Sequence, residues 1–432
     1  MVSEEKKMRT IKGKACEIKV YQDKLDEMTL NQLSLLADQA FAEDLRIMIM
    51  PDCHAGKGCV IGTTMTIKDK IVPNLVGVDI GCGMLLTSLG KGPIDYASLD
   101  KFIHEEIPSG VNIYTEKQEC PIDLTSLDSY KELKNKSRFE QSLGTLGGGN
   151  HFIEIDKDDN GEFYLVIHSG SRNLGSQVAT YYQDLAIKEM KDKIYNKEKL
   201  INETIESFKK EGRSKDIQKT IKMIKERVVE IPCPDELAFL EGPSFSSYLH
   251  DMGIVQRFAV LNREKMARKI CSFLGMDFDE REHYSCIHNY IDLENMILRK
   301  GAISAQKGEK VIIPINMRDG TILGVGKGNP DYNYSAPHGA GRLYSRKEAK
   351  ERFTVSEFKD TMKGVYSTSV EEGTLDESPF AYKSIDMILP YLKDTVDVTS
   401  IIKPVYNFKA SEEDSPRYAR KKEASGSDWT IL

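Results

Sequence analysis

The sequence predicts a fold of mixed helices and strands, on three observations. Brief β-branched runs, Phe152-Ile153-Glu154-Ile155, Tyr164-Leu165-Val166-Ile167 and Val311-Ile312-Ile313-Pro314-Ile315, have strand character. Ile254, Phe258 and Leu261, continued by Met266 and Ile270, recur at helical spacing. Glycine-rich clusters spread over most of the chain supply the turns between such elements.

Taken in order, the clusters are Pro51-Asp52-Cys53-His54-Ala55-Gly56-Lys57-Gly58, Val76-Gly77-Val78-Asp79-Ile80-Gly81-Cys82-Gly83 and Leu146-Gly147-Gly148-Gly149-Asn150-His151. His168-Ser169-Gly170-Ser171-Arg172-Asn173-Leu174-Gly175 and His338-Gly339-Ala340-Gly341-Arg342 follow. Each sets glycine, which lets backbone approach a ligand and lets successive N–H groups cradle an anion, beside a metal-capable or nucleophilic side chain. One such cluster is a turn; five predict a single active site assembled from distant loops. Between about 188 and 230 the chain turns strongly charged. Ile201, Ile205 and Phe208 make one apolar stripe there, and Ile217, Ile221, Ile224 and Val228 another, with Gly212 between them. This pattern predicts a peripheral helical hairpin. After Lys409 the composition becomes charged and small, ending in Trp429-Thr430-Ile431-Leu432, so residues 410–432 read as a charged C-terminal tail.

A length of 432 residues suggests two or three ordinary domains as a starting expectation. Hydrophobic residues at 40% and charged residues at 29% suit a globular protein rather than a disordered one. No apolar run is long enough to span a membrane, and the first residues lack the apolar core of a secretory signal, so a cytoplasmic protein is expected. Eight cysteines without a CxxC pair exclude a disulfide framework and a zinc ribbon. A net charge of −7 argues against a surface coated for wrapping nucleic acid, but permits a local basic channel.

Four of the eight histidines, His54, His151, His168 and His338, stand in or beside the glycine turns. Alone, Asp79 and Cys82 read as a turn-capping carboxylate and a buried thiol. Together with the histidines they can converge on one cation, or bridge two if the sulfur is shared. A Cys/His/Asp set selects a borderline transition ion over magnesium, and ligand softness alone favours zinc. His338 lies between small residues, open to an electrophile, with Arg342 near enough to steady a phosphate; a tight turn with a solvated histidine is the plainer reading of the same five residues.

These motifs, with Leu143-Gly144-Thr145-Leu146 ahead of the third cluster and with His288-Asn289-Tyr290 and Arg299-Lys300-Gly301-Ala302 in the same order, resemble the RtcB-type RNA ligases, also called tRNA-splicing ligases. The resemblance runs from about Ile47 to Lys409. It implies an α+β fold: a single compact catalytic domain over 1–409 with mixed sheets around a dinuclear metal cleft. It further implies that Cys82 bridges two manganese ions, with Asp79 and His151 completing one ligand set and His168 and His288 the other. The implied metal is thus manganese, against the softness argument for zinc.

His338 corresponds to the histidine that receives GMP from GTP, with Gly339, Ala340 and Gly341 beside it. Asn150 would hold the phosphate, and Glu154 would read guanine by accepting from N1–H and the 2-amino group, which adenine lacks. Phe152, Tyr382 and Lys409 match further positions of the guanine pocket, and Arg172 and Lys300 match basic residues suited to phosphates. Asp52, His54 and Lys57 lie in a family signature, with roles behind the site or at the RNA end. The implied reaction opens a 2′,3′-cyclic phosphate to a 3′-phosphate, activates it with GMP and joins it to a 5′-hydroxyl. The implied partners are RNAs with broken ends, such as tRNA halves, and an accessory activator protein.

One loop departs from the family. Ile315-Asn316-Met317-Arg318 stands where Gly-Ser-Met-Gly is usual, while Thr321 keeps a hydroxyl at a nearby serine position. That departure leaves a metal-dependent phosphodiesterase without ligation as the competing reading, with a non-catalytic RNA-end binder behind it.

Overall fold

Two large sheets carry the chain. The computed structural model describes residues 8–22, 24–56 and 58–410, so Lys57 and nearly all of the tail lie outside the described residues. A seven-stranded antiparallel sheet runs in the order His283–Ile287, Gly83–Gly90, Phe163–Ser169, Phe152–Lys157, Val396–Phe408, Gly320–Gly326 and Lys310–Asn316. A six-stranded sheet runs Arg9–Lys12, Glu17–Val20, Ile47–His54, Ile61–Thr66, Ile297–Lys300 and Asn289–Asp292. It is mixed, because Glu17–Val20 and Ile47–His54 pair in parallel. The three β-branched runs of the sequence fall inside strands Phe152–Lys157, Phe163–Ser169 and Lys310–Asn316.

Helix Gly242–Phe273 packs across Gly83–Gly90 and Phe163–Ser169. Its periodic residues Ile254, Phe258, Met266 and Ile270 are buried, as the spacing predicts, while Leu261 sits half-buried at the edge of the stripe. Each fully buried side chain of that size stabilises by about 1.5–3 kcal/mol, enough to fix the helix on the sheet. The charged stretch begins inside helix Arg172–Ile194 and continues as helices Lys197–Lys210 and Ile217–Glu226, which pack on each other around Gly212. Val228 does not extend the second stripe: it lies past the helix end and is 84% exposed. Among the described residues, no helix is long and apolar enough to cross a membrane.

Candidate active site

Strand register assembles the site. Ile287 pairs with Gly83, Gly83 with Ser169, and His168 with Phe152, so four consecutive strands end level with one another. His288 follows the first, Cys82 precedes the second, His168 is next to last in the third, and His151 precedes the fourth. Four residues scattered over two hundred positions of sequence therefore meet at one sheet end. Asp79 joins from the preceding turn, where Gly170 leaves it room: a Cβ there would stand 2.0 Å from Asp79 Oδ1.

The distances define two ligand groups. Asp79, Cys82 and His151 form one, Cys82, His168 and His288 the other, with the candidate ligand atoms in each within 4.8 Å of one another. Cys82 Sγ lies 3.4 Å from His151 Nε2 and 3.3 Å from His168 Nε2, and His168 Nε2 lies 3.3 Å from His288 Nε2. His151 Nδ1 donates to the Leu146 carbonyl (3.1 Å) and His168 Nδ1 to that of Asn150 (3.0 Å). Those carbonyls can only accept, so each ring keeps its Nε2 lone pair for the shared centre.

Burial presses His168 and His288 well below the ordinary histidine range, which keeps them neutral ligands. Burial, reinforced by Asp79, pushes the Cys82 thiol up. Burial also works against the Asp79 carboxylate, yet its place 3.0 Å from His151 Nε2 holds it down at about 2. A sulfur shared between an Asp/Cys/His set and a Cys/His/His set fits a pair of borderline transition ions.

Two polar residues that sequence reasoning missed hold this end from behind. Asn262 on the long helix accepts from the Gly144 and Thr145 N–H groups and donates to the Gly170 carbonyl. Its neighbour Arg263, wholly buried, donates from Nη1 to the carbonyls of Gly81 (2.9 Å) and Ser169 (2.8 Å). Both carbonyls adjoin metal-ligand candidates, so the guanidinium fixes the turns that carry Cys82 and His168. A polar pair on the buried face of a helix was the available signal.

A cavity of about 620 Å³ opens from the ligand cluster. His338 lines it, with ring centroids 5.0 Å from His288. His338 Nδ1 lies 2.8 Å from Oδ2 of the fully buried Asp52, a short contact off the ideal hydrogen-bond direction. Gly341 makes that approach feasible: its φ is +71°, and a Cβ would stand 2.4 Å from the Asp52 carbonyl oxygen. His54 also faces the cavity, its Nδ1 3.2 Å from the Asp52 carbonyl.

At the other end, Glu154 is buried and accepts from Asn407 Nδ2 at 2.5 Å. Burial raises it to about 7, against the opposing pull of Lys409 and Asn407. Lys409 Nζ donates to the Asn150 carbonyl (3.3 Å) and to Glu377 Oε2 (3.2 Å), and lies 5.1 Å over the Phe152 ring. Glu377, which sequence reasoning missed, gathers Lys409, Arg346, Arg342 and the Tyr382 hydroxyl. Despite its burial, those three cations hold it at about 2.

Asn150, Asn316, Lys300, Gly339, Ala340 and Gly341 line the cavity as well. Lys300 Nζ donates to Cys59 Sγ (2.8 Å) and the Asn74 carbonyl (3.0 Å), leaving one N–H for the cavity. Asn316 closes its own turn, accepting from the Arg318 and Asp319 N–H groups and donating to Asp319. Arg318 turns to Asp319 and Thr361 and does not line the cavity. Three expected site residues stand outside the lining: His151 is buried behind it beside Asp79 and Cys82, Thr321 is fully buried, and Arg172 ties Thr145 Oγ1 (2.9 Å) to the Gly110 carbonyl (2.7 Å).

A sequence profile described as tRNA-splicing ligase RtcB matches residues 37–131 and 119–410. The chain belongs to the RtcB family. The RNA-splicing ligase RtcB of Escherichia coli strain K12 is 32% identical over 399 residues, covering 83% of this chain and 88% of its own length. The tRNA-splicing ligase RtcB of Aeropyrum pernix is 26% identical over 466 positions, covering 86% and 88%. RtcB membership therefore extends over the cavity and both of its ends, with the profile reaching one residue past Lys409.

Proposed function

We propose that the protein is a GTP- and manganese-dependent RNA ligase, joining RNA 3′-phosphate or 2′,3′-cyclic phosphate ends to 5′-hydroxyl ends through GMP carried on His338. The observation that carries this reading is that His338, outside the ligand cluster, lines one cavity together with that cluster, which shares the Cys82 sulfur, and with the buried carboxyl of Glu154. The names of the curated relatives, RNA-splicing and tRNA-splicing ligases, agree with it.

Asp79, Cys82, His151, His168 and His288 would hold two manganese ions, which supply Lewis acidity at phosphate oxygens. Asp52 favours the proton on His338 Nδ1, leaving Nε2 to attack the α-phosphorus of GTP. A P–N bond forms as the bond to pyrophosphate breaks. Glu154, as a carboxylate, accepts from guanine N1–H and the 2-amino group, and Lys409 offsets the buried charge beside it. Asn150 and Lys300 offer donors to phosphate oxygens. Arg342 spends its guanidinium on Glu377 and the Tyr382 hydroxyl, so it shapes the pocket wall.

Incubation with manganese and α-labelled GTP tests the reading: an acid-labile GMP adduct should form and vanish in His338→Ala. Cyclic-phosphate hydrolysis by a metal-loaded protein that forms no adduct would favour the phosphodiesterase instead.

A further inference from the structure

A second carboxyl lies buried beside Glu154 and takes no part in the chemistry above. Asp156 stands two residues further along strand Phe152–Lys157, so the two side chains leave the same face of the sheet. Asp156 is 0% exposed, and neither carboxyl oxygen has a directed hydrogen-bond partner among the described residues. The Thr321 hydroxyl faces it from strand Gly320–Gly326 without a directed hydrogen bond and pulls weakly toward its charged form, against the larger effects of burial and of Glu154. Tyr164 occupies the paired position on the strand Phe163–Ser169, and Pro404 on Val396–Phe408. Lys409 and Asn407 act on Glu154, not on Asp156. An ionised carboxylate in that position would be a desolvated charge without a counter-ion, beside a like charge.

We propose that Asp156 is a positioning residue for base specificity, held as a neutral acid so that Glu154 alone carries the negative charge that reads guanine. This rests on the assignment of Glu154 as the base reader. Burial pushes Asp156 well above the carboxylate range and the Glu154 charge adds to this, whereas Lys409 restrains the rise at Glu154. Two acids whose surroundings drive them apart divide the labour: one keeps its proton, the other keeps its charge.

The test uses the full-length protein in two ways. In infrared spectra of protein carrying ¹³C-labelled aspartate, at about pH 8 where an ordinary aspartate is ionised, a protonated-carboxyl stretch should appear. It should vanish in Asp156→Asn and persist in Glu154→Gln. Absence of that band from the wild type overturns the proposal even if the variant folds poorly.

The second readout is the preference for GTP over ATP in adduct formation as pH falls. If Asp156 is already neutral, Asp156→Asn leaves the acid limb of that preference where it was. If Asp156 is ionised, its removal eases the ionisation of Glu154 and moves the limb down by about one pH unit or more, a tenfold change per unit; that shift sinks the proposal. Glu154→Gln separates the two claims. An unchanged preference in that variant removes Glu154 as base reader, while the infrared band still reports the state of Asp156.

Discussion

The two ends of the cavity are built on different principles. At the candidate metal end most side chains are placed by strand register: neutral imidazoles, a thiol, one ionised carboxylate, Asp79, and backbone carbonyls pinned by Arg263. At the base end Glu154, Glu377, Lys409, Arg342 and Arg346 are placed by one another, in a network of ionised groups. A register-built site is rigid and indifferent to pH until its ligands protonate. A charge-built site is adjustable, and it responds whenever one member titrates. On the proposed reading, geometry is held most strictly at the end that would coordinate ions, and charge is set most finely at the end that would read a base.

The largest expected effect breaks the metal end. Cys82→Ala and His151→Ala should lose bound manganese, measured by elemental analysis, and should reduce ligation to background. His338→Ala should lose the GMP adduct while retaining manganese, and ligation with GTP by this variant would remove His338 as nucleophile.

A middle-sized effect is expected behind the ligands. Arg263→Lys keeps a charge but cannot clamp two carbonyls from one planar group, so manganese affinity should weaken by roughly 10- to 100-fold, read by titration. Unchanged affinity would mean that strand register alone suffices. At the base end the effect is on selectivity. In its proposed role Glu154 accepts from guanine only as a carboxylate, and its value, raised to about 7, means that the charged form is lost as pH falls through 7. The preference for GTP should therefore decline from about pH 8 to about pH 6, and Glu154→Ala should lack it throughout. The smallest effect is expected at the hairpin, where Lys222→Ala removes only an exposed pair with Glu226 and should leave ligation unchanged within about twofold.

Much of the metal end was legible in the sequence, because glycine beside histidine, cysteine or aspartate marks a turn that presents a ligand. His288 has no glycine cluster next to it and entered only through family resemblance. Strand and helix positions followed from β-branched runs and helical spacing, whereas Val228 continued a stripe on paper that the backbone had already left. Glu377, Asn262 and Arg263 were illegible for a common reason: a buried charge or amide is recognised by its partners, and most of those are distant in sequence, as Lys409 is from Glu377, Gly144 from Asn262 and Gly81 from Arg263. The departure at Asn316-Met317-Arg318 sets an arginine where the family usually has a glycine. Once the Asn316 side chain closes the turn, Arg318 is directed away from the cavity.

One oxygen joins the two ends. The Asn150 carbonyl accepts both from His168 Nδ1 and from Lys409 Nζ. A base that draws Lys409 toward it also loosens or tightens the acceptor that orients an imidazole of the metal cluster. Thermodynamic linkage then requires reciprocity: if filling the base pocket changes manganese affinity by some factor, manganese must change nucleotide affinity by the same factor. With both ligands bound as proposed, the shared carbonyl would be the path by which each half senses the other.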